Sequence, residues 1–293
     1  MNVGFIGLGR MGGAMAGRLL AHGYSLGVYD RDPGQTAALG DRGAYVAGGV
    51  ADLCRDRSLI ISMLPDDPLL AQVASGPGGL CDSLAPGAIH MVCGTHGVTV
   101  MERLVAAHAE RGQVLLSCTV LGRPDRAAEG KLGLIAGGPA AAIDSIVPLL
   151  EVLGERLFRA GANPLSAVAI KIANNFVLGC AIEAMGEGMA LARKYDVDPE
   201  LFHTVLTQGL FGCVAYQTYG DVIAKEDWTR VGATVAIGLK DAQLAFEAAE
   251  KVRVPLPSGN VWRDHLLTAF GRGEQALDWA VMAREQFRRS GLE

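Results

Sequence analysis

The sequence predicts an α/β N-terminal domain and an all-α C-terminal domain joined by a long central helix, and three observations carry that reading. Short apolar runs bounded by Gly, Pro, Asp or Ser alternate with helical segments from Val3 to about Phe158, the pattern of a parallel sheet with helical crossovers. From Asn163 to about Lys194 apolar residues cover nearly every face of a helical register. Beyond Asp198 no strand pattern appears. The division expected is therefore 1–161 for the first domain and 162–293 for the long helix with the all-α domain.

Bulk properties exclude several classes. The 293 residues are 50% hydrophobic, enough for two ordinary domains with sizeable cores. Net charge is −5, from 26 basic and 31 acidic side chains, and no basic block stands out, which argues against a nucleic-acid or membrane partner. Cys54, Cys81, Cys93, Cys118, Cys180 and Cys213 lie far apart with no CxxC, as in a reduced protein without a structural metal. Met1-Asn2 leads straight into an apolar run without a basic segment or cleavage site, so a cytoplasmic protein is expected.

Val3 to Ile6 reads as the first strand. It runs into Gly7-Leu8-Gly9-Arg10-Met11-Gly12 and then a helix through Leu20. Gly7 permits a tight turn, Gly9 lets backbone N–H groups approach a pyrophosphate, and Gly12 lets helix and strand pack closely. The phosphates then lie at a positive helix N-terminus, so this is a Rossmann-type dinucleotide site. The second strand, Ser25 to Tyr29, ends at Asp30, eighteen residues beyond Gly12. An acid there accepts ribose hydroxyls and repels a 2′-phosphate, whereas Arg31 is suited to gripping that phosphate. NAD is favoured and NADP stays open. Further strands are expected at Leu59–Leu64, Ala88–Val92, Gln113–Cys118, Leu132–Gly138 and Arg156–Phe158. Ligands of open parallel sheets bind beyond strand C-termini, which places Leu64-Pro65, Gly94-Thr95 and Thr119 to Arg123 around one crevice.

Asn163-Pro164 opens the central helix with an N-cap oxygen and a proline that has no N–H to leave unsatisfied. Roughly thirty residues make a rod of about 45 Å, and its apolar faces predict burial. Within it stand Lys171, Asn174 and Asn175; Lys171 and Asn175 share a face one turn apart. A desolvated lysine is pushed toward a pKa useful for proton transfer, and the competing reading is a lysine that snorkels to water. In the second domain helices are expected at Pro199–Thr207, Val235–Val252, Pro257–Arg272 and Glu274–Arg288, with a loop from Leu210 through Gly220.

Together these residues resemble the β-hydroxyacid dehydrogenase family over essentially the full length. Gly4 to Gly12 is similar to the family's opening motif, Met63-Leu64-Pro65-Asp66 to its second cofactor loop, Lys171-Ile172-Ala173-Asn174-Asn175 to its catalytic K-x-x-N-N segment, and Gly238-Leu239-Lys240-Asp241 to a late motif whose lysine reaches the cofactor. The resemblance implies that Lys171 protonates a carbonyl oxygen while nicotinamide delivers hydride, or takes the proton in the reverse direction. It implies that Asn175 orients the substrate, with Asn174 the alternative, and that Leu64, Pro65, Thr95 and Lys240 line NAD or NADP. It also implies a small carbonyl or hydroxy substrate and a homodimer or tetramer.

The substrate side departs from the family pattern. Leu121 stands where the family's loop has a carboxylate-binding serine, and Arg123 where it has a second glycine, so Leu121, Gly122 and Arg123 form the expected substrate loop. Gly94 precedes Thr95 where a hydroxyl residue is usual, and Leu165 and Ala167 replace glycines. Phe211, within Leu210 to Cys213, and Tyr216 suggest an apolar pocket wall, or core packing. Two rival readings follow. Imine reductases share the architecture but carry Asp or Tyr where Lys171 stands. A non-catalytic dinucleotide module needs the Gly7 loop but not Lys171, Asn175 and Lys240.

Overall fold

In the computed structural model, which describes residues 1–293, the apolar runs of the first half become strands of one sheet. The order begins β1 (Asn2–Ile6), α1 (Arg10–Ala21), β2 (Ser25–Tyr29), α2 (Pro33–Gly40), β3 (Tyr45–Val46), α3 (Val50–Cys54) and β4 (Leu59–Ser62). It continues through α4 (Asp67–Ser75), α5 (Leu80–Ser83), β5 (Ile89–Val92), α6 (Val98–Ala109), β6 (Val114–Leu121), α7 (Pro124–Glu129) and β7 (Leu132–Gly137). The short helices α8 (Ala140–Ser145) and α9 (Val147–Leu153) lead to β8 (Gly154–Arg159). The eight strands lie in the order β3-β2-β1-β4-β5-β6-β7-β8. β2 and β3 go to one side of β1 and the later strands to the other, so β1 and β4 flank the topological switch point, where open α/β sheets bind ligands.

The sheet is parallel from β3 to β6 because its crossovers are helical. Val3, Phe5, Met15, Leu19, Leu59, Ile61 and Met91 are fully enclosed in one core. Two expectations need correction. β6 does not stop at Cys118 but runs to Leu121 and pairs antiparallel with β7, so Thr119 is a buried strand residue and only Gly122 and Arg123 form the turn. β7 therefore departs from the parallel arrangement, and β8 pairs parallel to it. β3 went unforeseen because two exposed residues carry no alternation.

The chain forms two compact units, Met1–Lys171 and Ile172–Glu293, with the division inside α10 (Pro164–Arg193). Asn163 caps α10 as its chemistry suggests, its Oδ1 accepting from Leu165 N at 3.0 Å. The first turns belong to the first unit: Ala167 and Val168 are buried there, and Thr119 Oγ1 donates to Ala167 O at 3.4 Å. Burial of α10 on every face is not observed. Ile170 is 46% exposed, and Val177 and Leu191 are each 64% exposed, so one apolar side of the helix faces solvent in the single chain.

The second unit adds α11 (Pro199–Gln208), α12 (Val214–Ala224), α13 (Val235–Lys251), α14 (Pro257–Gly271), a single 3₁₀ turn at Trp279–Val281, and α15 (Met282–Arg289). The expected loop through Gly220 is largely the helix α12. Gly220 misleads because it serves packing: a Cβ there would meet the His203 ring at 2.5 Å. The expected helix from Glu274 is instead a turn before α15. Asp278 redirects the chain, accepting from Gly232 N at 2.7 Å and Ala280 N at 3.0 Å. Trp262 and Trp279 pack edge to face at 6.4 Å, and Gly179 on α10 lets the Trp262 ring approach the helix backbone.

Candidate active site

The loop between β1 and α1 has the geometry its glycines predict. Gly7 takes φ +87°, and any Cβ there would fall on the Met63 carbonyl oxygen. A Cβ at Gly12 would fall on the Gly7 carbonyl oxygen, so only glycine permits this helix–strand contact. Gly9 is different: nothing stands within 4 Å of where its Cβ would be. Gly9 is also the N-cap of α1 and offers no side-chain cap, so the N–H groups of Met11 and Gly12 in the first turn are left for a ligand. That open space and those donors fit a dinucleotide pyrophosphate.

Asp30 is placed at this loop and is already engaged. Its Oδ2 accepts from Leu8 N at 2.7 Å and its Oδ1 from Asp32 N at 2.9 Å, which ties the glycine loop to the turn after β2. Arg31 beside it is exposed. Gly7 packs directly against Met63 and Leu64, so the first and second expected cofactor loops are neighbours; Leu64 is buried and Pro65 exposed. Thr95 is half-buried just beyond β5.

Two residues that sequence reasoning missed join these loops. Asp67 Oδ1 accepts from His96 Nδ1 at 3.0 Å, and both Asp67 oxygens accept from Gly97 N at 3.1 Å. Asp67 lay within Pro65-Asp66-Asp67-Pro68, which reads as a simple strand stop. Behind β4 a chain of buried side chains fixes proton positions. Gln113 Nε2 donates to Cys81 O and Leu84 O, leaving Oε1 to accept from His108 Nδ1 at 2.7 Å. His108 Nε2 then accepts from His90 Nδ1 at 3.0 Å, and His90 Nε2 accepts from Ser62 Oγ at 2.9 Å. Burial pushes the pKa of His90 well down, reinforced by His108 and His96, and burial lowers that of His108. Nearby, the Cys93 thiol is pushed up by its hydrogen bond to Cys118 and by burial, so it is inert. No group of three His, Cys, Asp or Glu side chains is arranged to hold a metal ion.

The turn after β6 places Leu121, Gly122 at φ +139° and Arg123 in sequence. Arg123 is half-buried, and its Nη1 is enclosed without a hydrogen-bond partner. An enclosed guanidinium nitrogen with no acceptor is costly and is the natural partner of an anion.

On α10, Lys171 is half-buried rather than enclosed, Asn174 is exposed and Asn175 is 6% exposed. Within the second unit Asn175 Nδ2 donates to Asp241 Oδ2 at 2.7 Å, and Lys240 Nζ lies 3.1 Å from Asp241 Oδ1. Asp241 thereby brings together two expected site residues, a role its place beside Lys240 hinted at. Phe211 is not core: it is 42% exposed and stacks on Tyr216 with ring centroids 4.8 Å apart.

A glycine cradle at the switch point of an α/β sheet, followed by a long helix bearing Lys171 and Asn175 and a helical domain, is the organisation of a nicotinamide-dependent oxidoreductase. The comparisons agree. The model of the NAD-binding domain of 6-phosphogluconate dehydrogenase matches residues 2–161, and that described as NAD-binding of NADP-dependent 3-hydroxyisobutyrate dehydrogenase matches residues 166–285. The chain is 37% identical over 284 residues to an uncharacterised oxidoreductase of Bacillus subtilis, covering 97% of this chain and 99% of that one. It is 31% identical over 275 residues to 3-hydroxyisobutyrate dehydrogenase of Pseudomonas aeruginosa, with 90% of each covered. Its fold matches that of Mycobacterium tuberculosis 3-hydroxyisobutyrate dehydrogenase with TM-score 0.88 at 23% identity, over 97% of this chain and 98% of that one. The chain belongs to the β-hydroxyacid dehydrogenase family and is an NAD(P)-dependent oxidoreductase. An imine reductase of Myxococcus stipitatus shares only the fold, with TM-score 0.66 at 19% identity over 97% of this chain and 99% of that one.

Proposed function

We propose that this enzyme transfers hydride between nicotinamide and a small carbonyl or hydroxy compound bearing an anionic group, with Lys171 moving the accompanying proton. The observation that carries the substrate class is the enclosed, unpartnered Nη1 of Arg123 on the turn after β6. A carboxylate or sulfonate supplies the acceptor that nitrogen lacks, and it replaces the serine contact that Leu121 cannot make. Gly122 shapes the turn that carries Arg123, its missing Cβ leaving room for the Leu132 side chain, and Phe211 belongs to the same proposed substrate set. Relatives named 3-hydroxyisobutyrate dehydrogenase and 3-sulfolactaldehyde reductase support an acid-bearing substrate.

The bound nicotinamide supplies or takes up the hydride. The pyrophosphate would be held by the N–H groups of Met11 and Gly12 above Gly9, with Gly7, Leu8 and Arg10 shaping the loop, and Met63, Leu64, Pro65, Thr95 and Lys240 would line the rest of the cofactor. Asp30 favours NAD, since its carboxylate repels a 2′-phosphate, and Arg31 leaves NADP usable. Lys171 Nζ donates to the substrate carbonyl oxygen in reduction and accepts the hydroxyl proton in oxidation. Asn175, fixed by Asp241, orients that oxygen, and Asn174 contributes from the next position. Residues 1–161 form the dinucleotide-binding domain and also supply Arg123, and 162–293 serve substrate and assembly while supplying Lys240 to the cofactor.

We read the protein as soluble and cytoplasmic. α10 meets the length and hydropathy of a membrane span with 33% of its most apolar window buried, but Lys171, Asn174, Asn175, Glu183 and Glu187 interrupt it. The exposed Ile170, Val177 and Leu191 are instead covered by a second copy in a homodimer. Light scattering at micromolar concentration reads a dimer or tetramer mass, and a monomer contradicts this.

The deciding assay follows NADH and NADPH oxidation against small acid semialdehydes, glyoxylate, bulky apolar aldehydes and cyclic imines. Turnover of the acids supports the proposal. Turnover confined to apolar carbonyls or imines overturns it.

A further inference from the structure

The geometry points to Asp67 and His96 as positioning residues for the cofactor: a half-buried latch that locks the loop after β4 to the loop after β5. The inference rests on the reading that Leu64, Pro65 and Thr95 line the dinucleotide. Each of these loops ends a strand at the switch-point edge, and the paired register between them ends at Ser62 and Val92, with Cys93 N donating to Ser62 O as its last bond. Asp67 supplies that tie. It opens α4, and it accepts His96 Nδ1 at 3.0 Å and the Gly97 backbone N–H at 3.1 Å, both from the neighbouring loop.

Gly94 records the same arrangement from the other side. A Cβ at this position would fall on His96 Nε2 and would stand 2.7 Å from the Leu64 carbonyl oxygen. The imidazole and the Leu64 backbone thus occupy the space a serine at position 94 would need, which accounts for glycine before Thr95. His96 is 1% exposed, so its ring is a fixed spacer as well as a donor. The latch has a direction. With Nδ1–H given to a carboxylate, the ring is held in one orientation, and Leu64 and Thr95 on either side of it keep a fixed separation. Cofactor that enters between them meets loops already placed, so less ordering is left to oppose binding.

The test is direct titration of the purified enzyme with NADH and NADPH, followed by nucleotide fluorescence, on Asp67→Leu, His96→Leu, their double variant, Asp67→Asn and Thr95→Trp. Asp67→Leu and His96→Leu each raise Kd about tenfold, the scale of one lost charge-assisted hydrogen bond. The double variant binds no more weakly than either single one, since both remove the same latch. Asp67→Asn keeps an acceptor and stays within about threefold of wild type. The loss falls on cofactor Kd more than on kcat at saturating cofactor. Additive losses in the double variant, or a lowered Tm with Kd unchanged, overturn the latch. Thr95→Trp separates the two readings. If it blocks cofactor while His96→Leu does not weaken it, the latch alone is wrong; if neither variant affects binding, these loops are not the cofactor loops.

Discussion

The loops after β1, β4 and β5 and the turn after β6 close the same edge of one sheet, yet they are finished differently. On the cofactor side the loops are already tied down by carboxylates: Asp30 holds Leu8 N, and Asp67 holds His96 Nδ1 and Gly97 N. On the substrate side Arg123 Nη1 is enclosed and has no partner. In the first region the loops are positioned by the protein before ligand arrives, and in the second, on the proposed reading, a side-chain nitrogen gains its acceptor only with ligand. The difference follows from what each must recognise. A dinucleotide is constant, so backbone N–H groups held in place by carboxylates suffice. The substrate is what distinguishes one member of a fold from another, and on the proposed reading it is met by a side chain whose charge selects a chemical class.

The largest effect is expected where neither region acts alone. Lys171→Ala should lower kcat by about 10²-fold or more, the usual size of a lost general acid. Cofactor Kd should stay within about twofold, because the fixed loops do not depend on it. Steady-state kinetics with fluorescence titration checks both, and wild-type turnover would remove Lys171 from the mechanism. Next, Asp241→Leu leaves the buried Asn175 amide without its 2.7 Å acceptor. It should lower kcat about tenfold or more. Unchanged kcat would show that Asn175 needs no anchor.

Asp30→Ala sharpens the contrast on the cofactor side. Because both of its oxygens hold backbone N–H groups, the change should weaken NAD and NADP together, about tenfold for NAD and less for NADP, whose 2′-phosphate no longer meets a carboxylate. Equal and unchanged Kd values for the two cofactors would contradict this role. The smallest effect concerns pH. His90 and His108 are held neutral by burial, with folded pKa values below the unfolded value near 6.5. The unfolded chain therefore binds more protons below that pH. The stability these residues contribute is complete above pH 6.5 and is lost as pH falls below it, by about 1.4 kcal/mol per pH unit for each histidine that titrates only when unfolded. Urea denaturation at pH 7.5, 6 and 5 should show this slope, reduced in His90→Gln; an identical slope in that variant would exclude the histidines as its source.

The glycine cradle was legible because each glycine answers a steric demand that no other residue meets, and that demand leaves its trace in a short segment. The central helix was legible from its cap and its apolar length, but its burial was not. Periodicity reports which faces are apolar and says nothing about whether Val177 and Leu191 are covered within one chain. The segment from Leu210 through Gly220 reads as a loop although α12 fills most of it, because the His203 ring that requires glycine at 220 is seventeen residues away. The latch was invisible for a related reason: Asp67 and His96 lie 29 residues apart on different loops and only the sheet brings them together. Arg123 stood out in the sequence as a departure from the family pattern, but its isolation is a property of the folded turn.

The measurement that tests the account most directly compares kcat/KM for a small acid semialdehyde and for its uncharged methyl ester, in wild type and in Arg123→Leu. If Arg123 is the anion partner, the substitution should cut kcat/KM for the acid by roughly 30- to 100-fold, the worth of a charge-assisted contact, and change that for the ester by less than about threefold. Equal losses on the two substrates, or no loss on the acid, would contradict the claim that the enclosed guanidinium selects an anionic substrate.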